Sequence, residues 1–108
     1  MAVIVDTGVL LAAADTDNTD HDRCSELLRA HRGELWVPAP VIPETSWQIE
    51  RNIGPASEAA FLRLITGEHL RVIDLTLTDW GRCIDLIDTY ADLGLGLVDA
   101  SVVAVAER

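Results

Sequence analysis

The chain has 108 residues, the length of one domain, and its 49% hydrophobic content suffices for a core without disulfide or metal staples. It carries 18 acids against 8 bases, a net charge of −10, and every base is an arginine. The lack of lysine excludes a P-loop, a Schiff-base lysine and a lysine general base, and the acidic balance argues against a basic nucleic-acid surface. A divalent cation or a basic protein remains possible as the positive partner. No apolar run approaches the roughly 20 residues of a membrane span. The opening MAVIVD lacks the basic stretch of a secretory signal. Cys24 and Cys83 show neither C-x-x-C nor zinc spacing and read as free thiols of a cytoplasmic protein.

Residues 2–5, AVIV, form an unbroken apolar run, the pattern of a strand buried on both faces of a parallel sheet. The Leu/Ala-rich stretch 9–14 predicts a helix. Asp6 therefore falls at the carboxyl end of a strand, where open α/β sheets place ligands; it also reads as a helix N-cap. Residues 15–22, DTDNTDHD, match a calcium loop at Asp15, Asp17 and Glu26 but put Thr19 and Asp20 at the fifth and glycine positions. They read better as a solvated loop in which Asp20 or Asp22 caps the next helix. That helix, about 21–31, turns Cys24, Leu27 and Leu28 inward and ends at Gly33.

Residues 35–37 predict a second strand, stopped by Pro38. Pro40 and Pro43 fit only the start of a helix, which puts Glu44 in its first turn. Trp47, Gln48 and Arg51 follow Glu44 at spacings of three, four and seven and share its face. Alone, Glu44 reads better as a first-turn acid complementing the helix dipole. Gly54-Pro55 breaks the chain. A helix then runs through Thr66, with Ala59, Phe61, Leu62, Leu64 and Ile65 inward, and Gly67 closes it. Residues 70–75, LRVIDL, predict a third strand. Asp79 or Thr78 is expected to cap a helix from Trp80 to about Ala91, with Ile84, Ile87 and Ala91 inward and Asp85, Asp88 and Asp92 as a wet stripe. Gly94 and Gly96 lack the third glycine and the preceding strand of a dinucleotide motif. The last helix starts near Leu97, and Asp99 shares a face with Val102, Val103 and Ala106. A solvated acid would more naturally lie on a polar face, which leaves a functional acid or a first-turn acid complementing the helix dipole.

The alternation of elements predicts an α/β domain spanning residues 1–108, with a short parallel sheet flanked by helices. A three-stranded sheet ending on an apolar helix reads as incomplete, so a C-terminal strand is expected to be missing. If Asp6, Glu44 and Asp99 converge, they form an acidic pocket suited to Mg²⁺ or Mn²⁺. A cation so held activates water and stabilises charge developing on a phosphodiester. No G-x-S-x-G or Ser-His-Asp pattern competes. Arg51 is a candidate to hold phosphate.

Three segments, VIVDTGVLLAA, VIPETSW and LGLVDASVVAVAER, together resemble the PIN-domain ribonucleases, specifically the VapC toxins of type II VapBC toxin–antitoxin pairs. The resemblance implies a three-layer PIN-like fold and a metal-dependent endoribonuclease. Asp6, Glu44 and Asp99 would be its metal-centred catalytic acids, with Thr7 a supporting hydroxyl. It further implies an RNA substrate, a VapB-type antitoxin and a toxin homodimer, in the cytoplasm, with no membrane association and no DNA binding by this chain alone. The family pattern continues with a further strand and acid that this sequence does not match. Asp6-Thr7-Gly8 also fits the aspartic-protease triplet, but that fold is built of strands and this chain reads mostly as helix. A receiver domain needs a lysine. A haloacid-dehalogenase-type phosphatase needs a second Asp where Gly8 stands. The alternative from another class is a non-catalytic PIN-like domain that binds a basic protein.

Overall fold

A computed structural model of the chain describes residues 2–108. Its elements run β1 (Val3–Ile4), α1 (Thr7–Ala14), α2 (His21–Ala30), β2 (Leu35–Pro38), α3 (Val41–Asn52), α4 (Pro55–Thr66), β3 (Arg71–Ile73), α5 (Leu77–Thr89), a 3₁₀ turn (Ala91–Leu93) and α6 (Leu97–Ala106). The strands form one parallel sheet in the order β1-β2-β3, with Val3 opposite Leu35 and Val37 opposite Val72. The expected α/β architecture with a short parallel sheet is therefore present.

The central strand β2 is the most buried, with Leu35, Val37 and Pro38 all inside. Pro38 is the last residue of the strand, opposite Ile73. The Ala39 amide donates to the Ile73 carbonyl at 2.8 Å, so the N–H that Pro38 lacks lies on the β1 side. Pairing of β1 with β2 ends there, at Ile4 opposite Trp36, as expected of a strand stopped by proline.

The main core joins Val5, Leu10, Leu35, Val37, Val41, Ile49, Phe61 and Leu70. A smaller cluster, Cys83, Leu86, Ala100 and Ala104, binds α5 to α6. Its inward face differs from the expected one: Ile84 is 59% exposed and Ala91 is exposed. The cause lies at the helix start. Thr76 caps α5, not Thr78 or Asp79, and Asp79 completes a capping box by accepting from the Thr76 amide at 2.9 Å. Arg108 reaches Asp79 from the end of α6, so the carboxylate is buried and paired. With Asp79 inward, Cys83 and Leu86 follow at four and seven residues.

Three further expectations are revised. Leu27 and Leu62 are each 39% exposed, at the margins of their helices' inward faces. Asp20 sits at the start of α2 but makes no cap bond, pairing with Arg23 at 2.7 Å instead. In α6 the buried residues are Ala100, Ser101, Ala104 and Val105, so Asp99, Val103 and Ala106 lie on its exposed side.

Candidate active site

Asp6 follows β1 with an extended backbone, and its Oδ1 accepts from the Val9 amide at 3.2 Å. The cap and the functional reading are compatible here: the cap engages one carboxylate oxygen, and the residue stays exposed. The next hydroxyl, Thr7 Oγ1, is buried without a hydrogen-bond partner, an arrangement that costs stability unless something engages it.

Pro40 and Pro43 open α3 as expected, and Glu44 stands in its first turn. Glu44 Oε1 accepts from Gln48 Nε2 at 2.8 Å. The Arg51 guanidinium lies over the Trp47 ring, 5.2 Å from its centroid. The shared face read from helical spacing is therefore real. Thr45 Oγ1, one residue after Glu44, is buried without a partner.

Asp99 lies in the first turn of α6, exposed, with no hydrogen bond or ion pair among the described residues. The described side chains do not form the three-acid pocket expected from sequence; what the acids share is that residues near each pack in or against the main core. Val5, beside Asp6, and Val41, at the start of the Glu44 helix, belong to the main cluster, and Ile42 and Val98 pack against it. Glu44 also lines a cleft with Leu97 and Val98, the two residues before Asp99. Asp99 itself lines a different cleft, with Arg82, Tyr90 and Leu93. Among the described residues, no three Asp, Glu, His or Cys side chains are grouped tightly enough to hold a metal ion.

The donors available around this edge are carboxylates and a hydroxyl. Such hard oxygens suit Mg²⁺ or Mn²⁺ and not a thiophilic metal. The unpartnered Thr7 hydroxyl fits the same chemistry. Cys83 is no nucleophile: burial, and to a smaller degree Asp79, raise its thiol pKa.

The sequence gives weaker notice of two other features. Asp79 is held at about 2, chiefly by its hydrogen bond from Arg108 and then by the Thr76 amide, with burial opposing. Its partner is distant in sequence and could not be paired by spacing. Trp80 lines the cleft that contains Glu44, where the sequence suggested only a helix start.

The family model for the PIN domain matches residues 3–108. The chain belongs to the PIN-domain family. This PIN domain is 27% identical over 106 residues to ribonuclease VapC26 of Mycobacterium tuberculosis, a match covering 98% of this chain and 78% of that protein. Its fold superimposes with a TM-score of 0.87 on VapC20 of Mycobacterium tuberculosis, described as a toxin that cleaves the sarcin–ricin loop. That match has 19% identity and covers 98% of this chain and 82% of the VapC20 chain.

Proposed function

We propose that this PIN domain is a VapC-type toxin, an endoribonuclease that uses Mg²⁺ or Mn²⁺ to hydrolyse RNA phosphodiester bonds. The observation that carries the reading is that residues near Asp6, Glu44 and Asp99 pack in or against one core cluster, while among the described residues the carboxylates themselves are not grouped without a cation. The residues beside them, Val5, Val41, Ile42 and Val98, pack into one cluster at the carboxyl ends of β1 and β2. The similarity to ribonuclease VapC26 supports it.

In this reading Asp6, Glu44 and Asp99 would hold a divalent cation whose chemistry, when bound, would be to activate water and neutralise charge on the phosphodiester. Thr7 supports Asp6. The Asp6 cap bond and the Gln48 bond to Glu44 restrict both carboxylates before substrate arrives. Arg51 or another arginine takes a backbone phosphate in this reading; the stacking of Arg51 on Trp47 along the Glu44 face supports Arg51. A VapB-type antitoxin and a second copy of the chain are the protein partners in this reading.

The test is cleavage of total cellular RNA with Mg²⁺ or Mn²⁺, against EDTA and Asp6→Asn. Cuts lost in both controls are expected; cuts that persist in EDTA would overturn the metal assignment. A second reading, a non-catalytic domain that binds a basic protein, is favoured by the absence of a tight three-carboxylate group among the described residues. Binding of Mg²⁺ to the native state alone must raise the melting temperature. A rise that Asp99→Asn abolishes separates the readings in favour of the nuclease.

A further inference from the structure

We propose that the cleft beside Glu44 seats one nucleobase of the RNA, stacked on the Trp80 indole, next to the scissile phosphodiester. This rests on the nuclease reading and assigns a subsite to it. The cleft has a volume of about 570 Å³ and is lined by Ala39, Pro40, Pro43, Glu44, Trp80, Leu97 and Val98. Small-molecule sites begin at roughly 300 Å³, so it has room for a base. Trp80 is 43% exposed, so part of a large aromatic ring is left in water at this rim.

The lining selects the ligand. Proline carries no N–H, and Ala39, Leu97 and Val98 bring no polar side-chain atom. A phosphate would meet the Glu44 carboxylate on a chain of net charge −10, offset only by the uncapped first-turn amides of α6 at Leu97 and Val98. A neutral, flat base meets no such repulsion. Glu44 and the indole N–H are the only polar side-chain groups in the lining, and Glu44 Oε1 is already engaged by Gln48. Recognition there is by stacking, which every base can satisfy, so the subsite positions the strand without reading its sequence.

The experiment is steady-state cleavage of a short single-stranded RNA with a mapped cut, comparing wild type, Trp80→Ala and Trp80→Phe. Base–aromatic stacking predicts that Trp80→Ala raises KM about tenfold, with kcat near wild type and most of the loss recovered by Trp80→Phe. An abasic nucleotide at one position flanking the cut should cost the wild type the same factor and cost Trp80→Ala little more. An unchanged KM, or no flanking position whose abasic effect depends on Trp80, overturns the subsite and leaves the cleft to a cationic side chain of a protein partner. Sedimentation velocity on both proteins guards against a third case. A loss that follows dissociation of a dimer and ignores abasic substitution makes Trp80 part of a self-association face, which also overturns it. If the wild type cuts no RNA, the nuclease reading fails by itself. Anisotropy of a fluorescent oligouridylate then decides the subsite: about tenfold weaker binding by Trp80→Ala supports it, and equal binding overturns it.

Discussion

The two parts of the molecule that carry the acids are held by different forces. The sheet side, with Asp6 and Glu44, rests on wholly buried branched side chains: Val37, Val41 and Ile49 are each 0% exposed. The α5–α6 pair, with Asp99, rests on the small cluster of Cys83, Leu86, Ala100 and Ala104. Two arginine–carboxylate pairs supplement it, Arg108 with the buried Asp79 and Arg82 with the exposed Glu107 at 2.9 Å. Alanines allow helices to approach closely but bury little area each, so electrostatics carries more of the arrangement there. The geometry around Asp6 should therefore be insensitive to pH and salt, while the placement of α6 should respond to both.

The largest expected effect breaks the sheet side. Ile49→Ala should cost about 2–5 kcal/mol in urea unfolding, a loss that added salt does not change. A smaller loss follows Asp79→Ala, which leaves Arg108 without its carboxylate, and it should appear in the melting temperature. Its signature is pH dependence. The Asp79 pKa is depressed from 3.8 to about 2, so its contribution is complete above about pH 4 and fades as pH falls toward 2. Wild-type melting should drop across that window more steeply than melting of Asp79→Asn. Equal slopes would show that the pair does not hold α6.

On the sheet side, Thr45→Val should stabilise by about 1 kcal/mol, because it removes a buried hydroxyl without a partner. If cleavage also falls, that hydroxyl serves the neighbouring Glu44. The smallest effect is expected for Arg82→Gln. Its pair with Glu107 is exposed to water on both sides, and the melting temperature should stay within error of wild type.

The two regions also differed in how readily they were read from sequence. Around Asp6 and Glu44 the local signals were enough: an apolar run, two prolines that fit only a helix start, and acids at cap and first-turn positions. Each acts over a few residues, and each appears in the fold where expected. On α5 the periodicity favoured Ile84 and Ile87; Ile87 packs against the α5–α6 cluster, but Ile84 is exposed and Cys83 and Leu86 are the buried residues. The hydrophobic pattern there permits two faces, and a charge 29 residues away from Asp79 decides between them. The apolar neighbours of Asp99 suggested a buried face, but α6 turns that side outward.

The sequence by itself determined the class of fold, the parallel sheet and the starts of the helices that follow Asp6 and Pro40, because these follow from short-range periodicity, backbone restriction and residue chemistry. Tertiary structure alone decided which faces of α5 and α6 are buried. It also buried Asp79 against Arg108 and set Trp80 into the cleft that holds Glu44. Such features depend on contacts between residues far apart in the chain, and sequence spacing carries no information about them until the backbone has closed.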